Sequence, residues 1–376
     1  MTNTSASQQA HQATHGGPDA LGVPRFDFST NSNACGPCPQ ALAALASCDA
    51  THYPDPHYTQ LRQQLAGFHG VEPWRVLLAG SASEFIYRIT AWVAQRGLAA
   101  GRKKGAAVLR TVRVPPHAYG DYAQAARAWG LTVVSDGAAG LHWHADPSSP
   151  LGLSAPFEAA TLGDGSGVAL TVLDCAYTPL RLSGTDLWST AERQTVWQLW
   201  TPNKALGLTG VRGAYAIAPL HAEAAVQGLN SLCASWPLGA HGVALLQSWV
   251  QAEVQSWLAQ SHITLRNWKA RQIGVLEGLG WHCLPSDTNF FCAIPMADDI
   301  PPSQPSAAQG TTHLQAVLQA LRSQGVKLRD ATSFGLPGHV RISVQPPVAQ
   351  DALVRAWHAA RQLGTPPAPL AERGPA

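Results

Sequence analysis

Between residues 40 and 300, short apolar runs alternate with longer amphipathic ones, and this alternation confines the chain to α/β architectures built on a mostly parallel sheet. Runs too short for a helix predict strands over 75–78, 106–112, 131–134, 168–173, 195–200 and 213–218. Apolar residues at spacings of three and four predict helices over 83–94 and 119–129. Two long helical patterns, 240–260 and 263–279, then follow without an intervening strand, and strand character resumes at 289–294, 326–329 and 339–344. That change of rhythm marks a second, smaller α+β domain. A length of 376 residues fits two domains at the usual ~100–200 residues each. The Pro- and Gly-rich stretch 300–310 reads as a surface loop, 364–376 as a frayed terminus, and the polar residues 1–17 as a flexible tail without a secretory pattern.

Composition removes several function classes. Charged residues make up 13% of the chain and hydrophobic residues 45%, against roughly 25% charged in an average globular protein, so a disordered polyelectrolyte is excluded. The net charge is +2 and no basic cluster exceeds Arg102-Lys103-Lys104, so the footprint of a nucleic-acid binder is missing. No apolar run reaches the ~18–20 residues that span a bilayer, so neither membrane nor nucleic acid is an expected partner, and a cytoplasmic location is the expectation. Seven scattered cysteines do not form a disulfide framework. Cys35-Gly-Pro-Cys38 has the spelling of a thiol redox motif, but the polar run before it lacks the strand that such a motif needs. His142 and His144 stand at strand spacing without acidic or cysteine companions, which predicts surface residues and no metal site. A catalytically silent regulator would need an added DNA-binding domain, for which the residues before the first motif leave no room.

The chemistry concentrates around Lys204, one of five lysines, in the run TPNKALGLTGVRGAY. It follows the apolar strand ending at Trp200, with Thr201 three residues before it and Arg212 eight after. A lysine so placed can form a Schiff base while the hydroxyl and guanidinium grip a phosphate. Thirty residues upstream, the apolar run VALTVLD ends in Asp174, at the strand edge where a carboxylate can hold a protonated ring nitrogen. Tyr177 follows, with a hydroxyl able to donate to a phenolate oxygen. The turn at 79–84 opens a helix with small residues, making Ala82 and Ser83 candidates for an anion cup. Tyr119, in PPHAYGDY, is the candidate to stack on a planar ring.

These elements resemble the fold type I pyridoxal-phosphate enzymes of the class I/II aminotransferase family, over roughly residues 15–360. The resemblance implies a large domain with a seven-stranded, mostly parallel sheet between helices (45–265), a small α+β domain (266–363) joined by an N-terminal segment (15–44), and pyridoxal 5'-phosphate on Lys204. HGGP at 15–18, DFSTNSNACGP at 27–37 and HYPDP at 52–56 resemble the opening of threonine-phosphate decarboxylases of cobalamin biosynthesis, relatives of histidinol-phosphate aminotransferases. Through this resemblance Tyr53 is implied to reach the cofactor phosphate of a neighbouring subunit in a homodimer, and His15 and Asn33 to bind substrate. Arg341 is implied to bind the substrate α-carboxylate and Arg329 a carboxylate or phosphate. In DPSSPLG, Ser149 stands where the family has the Asn that bonds the cofactor phenolate; Cys175 and Asn203 depart from the usual Glu and Ser. Threonine phosphate decarboxylation and transamination of histidinol phosphate both remain open, because the orientation of the bond broken at Cα is not written in the sequence.

Overall fold

The computed structural model describes residues 16–100, 107–156, 169–295 and 307–364. Its strands, in chain order, are β1 (Phe26–Asp27), β2 (Val76–Ala79), β3 (Thr111–Arg113), β4 (Thr132–Val134), β5 (Leu141–Ala145), β6 (Leu170–Asp174), β7 (Trp197–Trp200), β8 (Ala214–Ile217), β9 (His282–Cys283), β10 (Phe290–Ile294), β11 (Val326–Lys327), β12 (Arg329–Asp330) and β13 (Val340–Ser343). Seven of them form one sheet in the order β2-β8-β7-β6-β5-β3-β4. Only β8 runs antiparallel to its neighbours, β2 and β7. Every residue of β2 and β8 is buried, as expected where helices cover both faces of a sheet. On one face the helix Ala82–Ala100 lays Phe85, Ile86, Ile89 and Val93 into a cluster with Val112, Leu141, Val172 and Trp197. Each such side chain contributes about 1.5–3 kcal/mol on full burial.

A four-stranded antiparallel sheet, β12-β13-β10-β9, forms the second layer. The N-terminal strand β1 pairs in parallel with β11, which ties the start of the chain to its C-terminal third. The helix Ala252–Gly278 runs continuously across the 265/266 position expected as a domain boundary.

Several sequence expectations need correction. The helical pattern 240–260 breaks early, into Ala240–Trp249 and Ala252–Gly278, with Gln251 extended between them. Buried Trp249 donates its indole N–H to Tyr215 Oη at 3.1 Å, an anchor on the sheet that periodicity cannot show. The strand pattern 326–329 splits in two, because β11 pairs with β1 whereas β12 pairs with β13. Of the strand expected over 106–112, residue 106 lies outside the described residues, and a 3-10 turn, Val108–Arg110, stands before β3, which begins at Thr111. His142 is not a surface residue: β5 lies between β6 and β3, and His142 Nε2 meets Ala139 O at 2.9 Å. Alternating polar residues looked solvent-facing, but a strand in mid-sheet is covered on both faces. Residue 168, most of the 300–310 loop and both termini lie outside the described residues.

Candidate active site

The register of the large sheet sets Ala145, Asp174 and Leu199 side by side at the carboxyl ends of β5, β6 and β7. Open α/β sheets bind ligands at this edge, and here a cavity of about 680 Å3 opens there. Asp174 forms its buried floor. Tyr122 Oη donates to Asp174 Oδ2 at 2.6 Å and Ala176 N–H donates to Oδ1 at 2.9 Å. Burial pushes the Asp174 carboxyl above its ordinary range, while the Tyr122 and Ala176 bonds and the Lys204 charge pull it back toward the anion.

Lys204 sits in the turns directly after β7, with its Nζ 5.4 Å from the centroid of the Tyr177 ring. Its backbone is fixed from behind: Asn33 N–H donates to Lys204 O at 2.9 Å, and Cys38 N–H donates to Leu206 O at 2.8 Å. Gly207, at φ +70°, permits this approach, since a Cβ there would lie 2.4 Å from Gly36 O. Opposite, Ser81 Oγ caps the helix Ala82–Ala100 by accepting from Glu84 N–H at 3.1 Å. The neighbouring Ser83 Oγ is thereby left to face Tyr119 Oη at 3.3 Å. Ala82, Ser83, Tyr119, Thr201 and Arg212 all line the cavity.

At the other end, Arg341 and Arg329 both lie against Phe334, their guanidinium carbons 5.3 and 5.0 Å from its ring centroid. Arg341 donates to Ser29 O at 3.0 Å and to Ser149 Oγ at 3.1 Å, both neutral acceptors. Burial holds the Arg341 guanidinium below its usual range and, with the Arg341 charge adding to burial, brings Arg329 down to about 10. Two desolvated cations at one end of a cavity favour an anionic ligand there.

Of the residues singled out from sequence, Lys204, Asp174, Tyr177, Tyr119, Ala82, Ser83, Thr201, Arg212, Ser149, Arg329 and Arg341 share this cavity. Asn33 does not belong with them. Its side chain is spent inside the protein, donating to Ala205 O at 3.0 Å and Ser261 Oγ at 2.8 Å, while its Oδ1 accepts from Cys35 N–H at 3.1 Å. Asn31, two residues earlier on the opposite side of the segment, lines the cavity and donates to Tyr177 Oη at 3.3 Å. Tyr53 does not line the cavity of its own chain; it is 79% exposed and stacks on Trp236 at 4.6 Å. His15 lies outside the described residues. Sequence reading also passed over Tyr122 and its stacking partner Trp143, whose ring centroid is 4.3 Å away. The only available signal was the position of Tyr122 three residues after Tyr119, one helical turn into the same element.

The surroundings of the thiol motif argue against redox chemistry. Burial pushes the Cys35 thiol up to about 11, the reverse of the activation a nucleophilic cysteine requires, and Cys38 is buried with its Sγ on Gln40. Among the described residues no cluster of His, Cys, Asp or Glu could hold a metal, and no helix is long and apolar enough to cross a membrane.

The cavity suits pyridoxal phosphate by a test internal to the protein. Thr201 Oγ1, Asn203 Oδ1, Asn31 Oδ1 and Arg341 Nε are buried polar atoms without a hydrogen-bond partner, and all four residues line this cavity. Buried unsatisfied groups are rare because each costs about 1–3 kcal/mol; four around one cavity that also holds an amine and a buried carboxylate match a polar, phosphate-bearing ligand. The family profile described as aminotransferase class I and II matches residues 138–358. Histidinol-phosphate aminotransferase 2 of Pseudomonas aeruginosa is 26% identical over 342 residues, covering 88% of this chain and 87% of its own. The histidinol-phosphate aminotransferase of Haloquadratum walsbyi is 27% identical over 340 residues, covering 87% and 82%. Among solved structures, histidinol-phosphate aminotransferase from Sinorhizobium meliloti in complex with pyridoxal-5'-phosphate superposes with a TM-score of 0.72 at 22% identity, covering 96% of this chain and 99% of that one. L-threonine-O-3-phosphate decarboxylase from Porphyromonas gingivalis does so with a TM-score of 0.67 at 20% identity, covering 89% and 99%.

Proposed function

Because the chain belongs to the class I and II aminotransferases, enzymes that use pyridoxal 5'-phosphate, we propose that it transaminates a phosphorylated amine of the histidinol-phosphate type. The observation that carries this reading is the pair Arg329 and Arg341, register partners on β12 and β13 that both lie against the Phe334 ring: two desolvated guanidinium groups in one wall match a phosphate on one substrate and a carboxylate on its partner. The relatives are themselves histidinol-phosphate aminotransferases, which supports transamination over the decarboxylation that the opening motifs suggest.

When bound, the cofactor supplies an electron sink for the bonds at the substrate Cα. Lys204 is the amine that would hold it covalently, and its Nζ is the base that would move the substrate Cα proton. Asp174, whose anion Tyr122 and Ala176 favour against its burial, would hold the proton on the ring nitrogen. Tyr177 would offer its hydroxyl to the phenolate oxygen, and Ser149 Oγ accepts from Arg341. Thr201, Ser83 and Arg212, which line the cavity, would take the cofactor phosphate, and Tyr119 would pack on the ring. In this reading residues 45–265 carry the cofactor and 266–363 with 15–44 close the substrate end. Tyr53 serves the phosphate of a second subunit in a homodimer, and the enzyme works in the cytoplasm.

A second reading, decarboxylation of threonine O-3-phosphate, is favoured by one feature. Gly16, at the start of the described N-terminal segment, lines the cavity, and Gly17 N–H donates to Ser29 Oγ at 2.8 Å, so the segment carrying the His-Gly-Gly motif forms part of the substrate wall. Purified protein with a visible cofactor band, given histidinol phosphate and 2-oxoglutarate, should form glutamate. Release of CO2 from threonine phosphate without glutamate formation would transfer the assignment to the decarboxylase. Lys204→Ala should abolish both the band and turnover, and a retained band with turnover would remove Lys204 from the reaction.

A further inference from the structure

One side chain outside the cavity lining joins its two walls. The loop following β3 carries Tyr119 and belongs to the large sheet; the turn Thr332–Phe334 links β12 to β13 and has Arg329 and Arg341 at its two roots. His117, half-buried in that loop, lies with Nδ1 2.7 Å from Phe334 O. The contact is close on the next residue as well, since a Cβ on Gly335 would stand 3.4 Å from the same Nδ1. A carbonyl only accepts, so Nδ1 is the protonated nitrogen whether the ring is neutral or charged. The turn it holds is the one that arranges the arginines. Ser333 Oγ accepts from Arg329 Nη2 at 2.7 Å, and the Phe334 ring centroid lies 5.0 and 5.3 Å from the guanidinium carbons of Arg329 and Arg341.

We propose that His117 is a positioning residue for substrate: by tying the Phe334 carbonyl to the loop of the large sheet, it holds the arginine-bearing wall against the cavity and so sets the affinity for the substrate anion. His117 touches neither cofactor site nor arginine, which separates its effect from cofactor loading. The inference rests on the reading of Arg329 and Arg341 as the substrate-anion site. Loss of one neutral hydrogen bond of this kind corresponds to about three- to tenfold weaker binding.

The geometry also specifies its own rescue. The amide nitrogen of Asn falls near the position of a histidine Nδ1 and can donate to the same carbonyl, whereas that of Gln reaches beyond it. In the cofactor-loaded enzyme, His117→Ala and His117→Gln should raise KM for the phosphorylated amine about three- to tenfold with kcat within twofold, and His117→Asn should restore KM. The cofactor band and melting temperature of all three variants should match the wild type. An unchanged KM in His117→Ala, or a His117→Asn variant as impaired as His117→Ala with its band and melting temperature intact, would overturn the proposal. Calorimetric titration of the same holoenzymes with inorganic phosphate separates this outcome from failure of the substrate assignment. If wild type turns over neither amine phosphate, the assignment fails, yet a phosphate affinity lowered in His117→Ala and restored in His117→Asn still supports the tie, and equal affinities in all three still refute it.

Discussion

Replacing Tyr122 with Phe removes one atom from the site, the phenolic oxygen 2.6 Å from Asp174 Oδ2. The ring itself, stacked on Trp143 at 4.3 Å with an interplanar angle of 7°, stays in place, so the fold should survive. Asp174 then keeps only the Ala176 N–H bond and the Lys204 charge against a burial that raises its pKa. A hydrogen bond to a charged group contributes about 1.5–3 kcal/mol, which corresponds to roughly a ten- to 150-fold change in whatever depends on the carboxylate being ionised. Affinity for pyridoxal phosphate, or kcat at saturating cofactor, should therefore fall within that range in Tyr122→Phe. The sign of the pH effect is fixed as well. Losing a bond to the charged form moves the Asp174 pKa further up, so the acid limb of the rate profile should move to higher pH. The group's contribution to stability runs the same way, because a carboxyl whose folded pKa is raised favours the fold at low pH and loses that contribution as pH rises through the folded pKa. Cofactor affinity measured by visible absorbance, with kcat followed across pH, checks both expectations. Unaltered affinity together with an unmoved acid limb would show that Tyr122 does not maintain the charge on Asp174.

Thr201→Val replaces an unpartnered buried hydroxyl with a methyl of similar size, so the cofactor-free protein should melt at the same or a higher temperature while its affinity for pyridoxal phosphate drops about tenfold; a lower melting temperature with intact affinity would place that hydroxyl outside the phosphate site. Arg341→Lys keeps the charge but loses the fork that reaches Ser29 O and Ser149 Oγ together, so KM for substrate should rise at least tenfold at constant charge, and a wild-type KM would reduce Arg341 to a point charge. The double variant Cys35→Ser, Cys38→Ser should retain turnover and respond to reductant as the wild type does; loss of activity reversed by oxidant in the parent alone would revive the thiol reading.

What could be read from the sequence was local in origin. Lys204, Thr201 and Arg212 belong to one short turn after β7, and Asp174 ends the next strand over, so spacing along the chain was enough to set them at one sheet edge. The apolar runs β2, β6 and β8 announced themselves because strands covered on both faces need no alternation to be recognised. Where polar and apolar residues alternated for reasons other than solvent, reading by period failed, as at His142 in mid-sheet. The same limit hid the difference between Asn31 and Asn33. Both are buried polar residues two apart, and only the position of the Lys204 loop behind one and the cavity before the other gives them different work. Tyr122 on Asp174, Phe334 against two arginines and His117 between the two walls join residues 52, at least 5 and 217 positions apart. The chain by itself showed most strands of the large sheet, though not β5, together with the lysine turn and the cofactor class, since each of these is encoded within a few residues. The partners that tune Asp174 and the wall that faces substrate were decided by tertiary packing alone, because hydrogen bonds and desolvation act through space between segments whose meeting no local pattern records.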